Sequence, residues 1–320
     1  MKAALVRSFD APPQFSTFDP PKVLDGELSI QVAAAALTPL VKAKANGTHY
    51  SSVAEFPFVP GNDGVGRTAD GRRVYFVTSR LPFGSMAEFT VAKEDTVVPV
   101  PDDLDDITAA AIANPGMSSW AALSVRAKLV PGETVLVHGA TGSAGRMAIQ
   151  IAKHLGAGRV IAVGRNEEIL ESLKEIGADE CVSLSRPTSE IVRDYKSRVY
   201  PSGVDVILDY LWGTPAELLL NSLVSHGRAE GEPRVRCVQI GTAAGATIAL
   251  PGATLRSSGL EIMGSGFGSV SQADLLTGIA GLFAMATPSG VRLETEVVPI
   301  EDVQEAWTLN TQDRRIVFWL

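Results

Sequence analysis

The sequence predicts an α/β protein in which a doubly wound parallel sheet is joined to a second, β-rich region. Three observations carry this. From Thr134 onward, six short apolar runs rich in β-branched residues alternate with segments of helical period. The first of those runs leads directly into a glycine turn and a helix. Residues 1 to about 118 instead show short strand-like runs broken by Pro, Gly and Asp-Gly, with little helical period. A chain of 320 residues is also long for one core, so two domains are expected.

In the N-terminal region, LSIQVAAAAL and RRVYFV are the clearest strand candidates. The parallel sheet is expected from TVLVH (134–138), RVIAV (159–163), ECVSL (180–184), VDVIL (204–208), VRCVQI (235–240) and GLEIM (259–263). Their continuous apolar character is that of strands covered on both faces. Between the first two, Ala144, Met147, Ala148, Ile151, Ala152 and Leu155 recur at helix spacing, and Gly156 is a stop. Asn166 reads as the N-cap of the next helix, whose apolar face is Ile169, Leu170, Leu173 and Ile176. The last segment is strand, helix, strand (LETEVVPI, EDVQEAWTLN, RIVFWL) and could rejoin the first region. The expected domains are 1–118 with 288–320, and 119–287.

Composition limits the function. With 45% hydrophobic and 20% charged residues the chain can bury a sizeable core. A net charge of -8 without a basic block argues against nucleic acid or an anionic membrane as partner. No apolar run reaches the roughly 18 residues of a membrane span. The start, MKAALVRSFDAPP, has too short an apolar stretch for a signal peptide, so a cytoplasmic protein is expected. Cys181 and Cys237 lie in β-like runs and read as core thiols, and His49, His138, His154 and His226 lack metal-ligand spacing, so no metal is expected.

The turn ATGSAG follows a strand and opens a helix, where unpaired N–H groups and the helix dipole favour a phosphate. Against the dinucleotide fingerprint GxGxxG, Ala140 replaces the first glycine. Gly142 permits close approach of pyrophosphate, Ser143 and Ala144 begin the helix, and Gly145 lets it pack on the strand. At the end of the second strand, where an acid would bond the adenosine ribose, Gly164 is followed by Arg165 and Asn166. That removes repulsion toward a 2′-phosphate and supplies a cation, so NADP(H) is favoured over NAD(H). The competing reading has Arg165 solvated and Glu167 or Glu168 on the ribose.

With these residues in view the chain resembles the medium-chain dehydrogenase/reductase superfamily, in its zinc-independent quinone oxidoreductase branch, which includes ζ-crystallin. The resemblance runs through DGELSIQVAAAALTP, FVPGNDGVGR, FGSMAEFTV, NPGMSSWAAL, the glycine turn with AIQIAKHLGA, VDVILDY, EDVQEAW and RIVFW. It implies a GroES-like catalytic domain interrupted by a Rossmann domain, an active site in the cleft between them, and a homodimer, with the last Rossmann strand near Leu260 to Met263 as its expected seam. Zinc members carry Cys after the early strand and a His-Glu pair after the PG glycine; here stand Leu40-Val41-Lys42 and Gly61-Asn62-Asp63. Without a Lewis acid, the implied reaction is hydride transfer to a small electrophilic molecule, a quinone or an α,β-unsaturated carbonyl.

For catalysis the resemblance points to Tyr50, whose phenol could donate to the substrate oxygen, with His49 and Lys42 as alternatives, and to Asn62 in place of the zinc-ligating histidine. A lid tyrosine and a turn asparagine are the competing readings. Ser118 falls where the family has a threonine near the cofactor, and could instead cap the following helix. By the strand-edge rule, Gly241, Gly264, Ser265 and Gly266 should approach the nicotinamide. Asp209 reads as a cap and His138 as a core histidine. Two other functions stay open: reduction of a 2-enoyl thioester, and non-catalytic NADPH sensing.

Overall fold

The computed structural model describes residues 1–49, 51–78, 80–199, 203–224, 232–291, 293–309 and 314–320. Among them the chain forms two compact units, Met1–Asn114 with Ile279–Leu320, and Pro115–Gly278.

The first unit begins with β1 (Lys2–Leu5) and β2 (Gln14–Thr17), an antiparallel pair. Next come β3 (Glu27–Ala36), helix α1 (Pro39–Ala45), β4 (Asp63–Thr68), β5 (Arg73–Thr78) and β6 (Phe89–Pro99). Strands β3 to β6 pair in sequence, and β6 pairs again with β3, so these four close on themselves and leave little edge. Ile30, Val32, Val74, Phe76 and Ala92 fill their interior.

Helix α2 (Asp106–Ala121) leads into the second unit, where the expected alternation is found. It runs β7 (Thr134–His138), α3 (Ser143–His154), β8 (Arg159–Gly164), α4 (Glu167–Ser172), β9 (Glu180–Ser183), α5 (Thr188–Val199), β10 (Val206–Asp209), α6 (Gly213–Ser222), β11 (Arg234–Gln239), α7 (Gly252–Arg256) and β12 (Gly259–Gly264). The sheet is parallel throughout, in the order β12-β11-β10-β7-β8-β9. The order reverses direction between β7 and β10, the point at which open α/β sheets bind ligands. Leu136, Ile161, Val163, Val182, Ile207 and Cys237 belong to its core.

After α8 (Gln272–Ser289), β13 (Thr295–Pro299), α9 (Val303–Thr308) and β14 (Arg315–Trp319) return to the first unit. There β14 pairs antiparallel with β3 and extends its sheet.

The sequence reading missed α1 and α2, which lie in the region read as β-rich. Helix α2 escaped because Ala109 to Ala113 are all within 1% of complete burial. A helix covered on every side has no polar face, so no 3.6-residue alternation is left to read. Pro115 also lies inside it, a residue that normally ends a helical pattern.

Candidate functional site

Two places carry chemistry, one in each unit. In the second unit β7 ends at His138, and the chain turns through Gly139, whose N–H, like that of Ala140, bonds the Val163 carbonyl of β8. Gly142 then occupies the N-cap of α3 with no side-chain cap. The N–H groups of Ser143, Ala144 and Gly145 take no part in the described hydrogen bonds, whereas Arg146 N–H already bonds Gly142. The glycines are not equivalent. A Cβ on Gly145 would collide with the Gly139 carbonyl and come within 2.5 Å of Ala140 Cα, so this glycine seats the helix against the turn. A Cβ on Gly142 would meet nothing nearer than 3.9 Å, so this glycine leaves space above the free N–H groups. Arg146, which the sequence reading passed over, folds its guanidinium back to the Thr141 carbonyl at 3.2 Å and keeps a cation beside the turn.

At the end of β8, Gly164 is buried and Arg165 is exposed. A Cβ at 164 would lie 2.6 Å from the Thr141 methyl. Asn166 caps α4, its Oδ1 accepting from Ile169 N–H at 3.1 Å. Glu167, the rival ribose ligand, accepts from the Ser185 hydroxyl at 3.1 Å. Hydrogen bonds from Ser183 and Ser185 hold its carboxyl below the ordinary value.

Ser118 donates to the Pro115 carbonyl within its own helix, 2.9 Å away. Its neighbour Ser119, not foreseen from sequence, is the more connected residue. Fully buried, it contacts the Ala144 carbonyl of α3 at 3.1 Å and the Tyr210 hydroxyl at 2.8 Å, tying α2 to the glycine helix and to the end of β10. His138 and Asp209 are register partners at the switch point, both buried, with Nδ1 and Oδ1 2.8 Å apart. The carboxylate accepts, which places the proton on Nδ1 and leaves Nε2 to accept from Tyr195 at 3.1 Å. The same Asp209 oxygen receives the N–H groups of Leu211 and Trp212. Asp209 thus caps the turn after β10, and both ring nitrogens of the buried His138 are engaged. Trp212 has φ 56°, a conformation a bulky residue rarely takes. Gly241 packs on Tyr210, where a Cβ would lie 2.7 Å from its carbonyl oxygen, whereas Gly264 and Gly266 face open space. Ser265 N–H bonds Gln239.

In the first unit a pocket of about 250 Å³ is lined by residues that include Lys44, Ser52, Phe58, Asn62, Arg80 and Phe83. Thr38 caps α1, its hydroxyl accepting from Val41 N–H at 3.1 Å, and Val41 and Ala45 anchor the helix in the core. Lys44 thereby faces the pocket, its ammonium 2.8 Å from Asn62 Oδ1. Burial lowers its pKa, opposed by the nearby Asp63 charge. Asn62 Nδ2 is buried with no hydrogen-bond partner among the described residues. Next to it, Asp63 is buried and accepts from Tyr75 OH at 3.2 Å. Burial raises its pKa to about 6, against the lowering effects of Tyr75, Arg315 and Lys44. Of the other residues named for catalysis, Tyr50 lies outside the described residues. Lys42 does not line the pocket, and His49 Nδ1 is engaged by Ser51 at 2.8 Å. Nothing in the sequence singled out Lys44, because α1 itself was not foreseen.

A family profile described as zinc-binding dehydrogenase matches residues 144–281. The chain is 29% identical, over 99% of both lengths, to a probable NADPH-dependent quinone reductase of Emericella nidulans. It is 32% identical to the human quinone oxidoreductase over a segment spanning 63% of each chain, less than two thirds of that relative. Among solved structures, the quinone oxidoreductase of Thermus thermophilus, also determined in complex with NADPH, covers all of both chains with a TM-score of 0.81 and 25% identity.

Proposed function

The chain belongs to the medium-chain dehydrogenase/reductase superfamily, in its quinone oxidoreductase branch, and from that premise we propose that it is a cytoplasmic NADPH-dependent reductase. Its acceptor is a quinone or another α,β-unsaturated carbonyl, and it works without a catalytic metal. The observation that carries the reading is the uncapped start of α3: three free N–H groups, open space above Gly142, and a buried Gly145 that leaves no other way to seat the helix.

That cradle fits a dinucleotide. The N–H groups of Ser143, Ala144 and Gly145 receive the pyrophosphate, with the helix dipole adding to their effect. Arg165 takes the 2′-phosphate, and Gly164, walled off by Thr141, presents no acid to repel it. Ser118, Asn166 and Gly241 border the cofactor, and Gly264, Ser265 and Gly266 leave room on the nicotinamide side. Once bound, the cofactor supplies hydride. Asn62 orients the acceptor in the first unit, and Tyr50 is the second group assigned to the acceptor's oxygen. An ammonium bonded to Asn62 is a poor neighbour for a metal dication, which supports the metal-free reading. The homodimer implied by the family would use the β12 edge, where Ile262 is 38% exposed; sizing chromatography tests it.

The experiment follows loss of reduced-nicotinamide absorbance with NADPH or NADH against para-benzoquinone, phenanthrenequinone, an alkenal and a 2-enoyl thioester. NADPH-dependent turnover of a quinone or alkenal, unchanged after dialysis against EDTA, is expected. Arg165→Ala should weaken NADPH binding severalfold, up to about tenfold, the effect of one exposed charge-assisted contact, and leave NADH unaffected. Equal affinity for both cofactors in the wild type would overturn the role of Arg165. Turnover of the thioester alone would overturn the acceptor class.

A further inference from the structure

The pocket of the first unit holds more than the sequence reading assigned to it. Among the described residues that line it none is acidic, while two are cations. Arg80 is committed elsewhere: its Nε bonds Glu27 at 3.0 Å, its Nη2 the Lys22 carbonyl at 2.6 Å, and its guanidinium lies over the Phe83 ring. Lys44 makes no ion pair among the described residues, and one of its three N–H donors goes to Asn62 Oδ1. The other end of that amide, Nδ2, is buried without a partner among the described residues. A buried donor left in this state marks a place where a ligand atom or water completes the bonding. The Ser85 hydroxyl, equally orphaned, lies against Gly61 on the pocket wall, where a Cβ would strike it.

Distances decide whether the two donors can act together. The oxygen and nitrogen of one carboxamide are held about 2.2 Å apart by its bond lengths. Nδ2 therefore lies no more than about 5 Å from the ammonium bonded to Oδ1. An oxygen accepting at about 2.9 Å from each donor can bridge up to about 5.8 Å.

We propose that Lys44 and Asn62 together form a two-donor receptor for the carbonyl oxygen of the acceptor, and that Lys44 is a catalytic residue. This rests on the reductase reading above. Addition of hydride to the acceptor leaves an electron pair on that oxygen. The ammonium stabilises the charge as it develops, then transfers its proton to give the hydroxyl product and a neutral amine, which regains a proton from water. A half-buried ammonium, destabilised by loss of solvent, gives up its proton more readily than an exposed one.

The test uses a ligand that needs no turnover: para-nitrophenol, whose phenolate is yellow, at fixed pH near its own pKa. Wild type should bind the phenolate form and deepen the colour. Lys44→Met and Lys44→Gln should lose at least tenfold in phenolate affinity with NADPH affinity unchanged, and the charge-preserving Lys44→Arg should retain most of it. In turnover, Lys44→Met should lower kcat/KM for quinone on the order of a hundredfold, the usual loss for one oxyanion donor. Equal phenolate binding in wild type and both neutral variants, or none in the wild type, overturns the proposal. Lys44-dependent phenolate binding in a protein that reduces no acceptor upholds the receptor and overturns the reductase reading instead.

Discussion

Gly142 and Gly145 are three residues apart in one turn, yet replacing each by alanine should give different results. At Gly145 the added methyl is driven against the Gly139 carbonyl and the Ala140 backbone, neither of which can rotate away. Overpacking of this kind costs about 1–3 kcal/mol. For a unit the size of Pro115–Gly278, each kcal/mol lowers Tm by about 2–4 °C, so the cofactor-free variant should melt about 2–12 °C lower. At Gly142 the nearest atom is 3.9 Å from the new methyl and φ is -80°, an ordinary value for alanine. The poorer N-cap and the less flexible unfolded chain nearly cancel, so Tm should stay within about 2 °C of wild type. The methyl instead fills the space above the free N–H groups. Loss of one or two hydrogen bonds to a charged phosphate, about 1.5–3 kcal/mol each, raises the NADPH Kd at least roughly tenfold. Thermal melts without cofactor and fluorescence titration with NADPH separate the two effects. An unchanged NADPH Kd in Gly142→Ala would refute the assignment of this turn to phosphate. An unchanged melt in Gly145→Ala would refute the packing argument.

Two further outcomes follow from buried groups. Asp63 takes up its proton near pH 6 in the folded chain and near the ordinary 3.8 when unfolded, so the folded state holds more protons between these values. Stability contributed at this site therefore falls as pH rises through that window, by on the order of 2–3 kcal/mol. Denaturant titrations across it should show Asp63→Asn gaining on wild type with rising pH; a constant difference would contradict the buried carboxyl. Tyr195→Phe removes the donor to His138 Nε2 and leaves a buried acceptor unpaired, which costs about 1–3 kcal/mol. Its melt should fall by about 2–12 °C with NADPH affinity unchanged; a loss of affinity would give the His138 pair a part in binding.

The sequence was most readable where burial is one-sided or continuous. All six parallel strands lie within two residues of the stretches read from apolar runs, and Asn166 is the cap it was taken for. The amphipathic helix α3 shows its period because Met147, Ala148, Ile151 and Ala152 are buried while other positions remain half-exposed. Helix α2, buried on every side from Ala109 to Ala113, offered no such contrast there. Lys44 and Ser119 were missed for a different reason. Each acts through partners distant in the chain, Asn62 and Tyr210, and neither residue type is diagnostic alone.

Cofactor choice shows how packing and charge act together. Arg165 is exposed, and an exposed cation contributes modestly to any contact. The preceding residue constrains the site more firmly, because a side chain at 164 would have to displace Thr141, whose carbonyl in turn holds Arg146. The acid that would grip an unphosphorylated ribose is therefore missing in sequence, and a side chain in its place would crowd Thr141. Glu167 is the nearest substitute in sequence, and its carboxylate is already held by serine hydroxyls at the end of β9. On the reading proposed above, preference for the phosphorylated cofactor rests on the absence of an acid at 164 and the engagement of Glu167, with Arg165 adding attraction to a site from which repulsion has been removed.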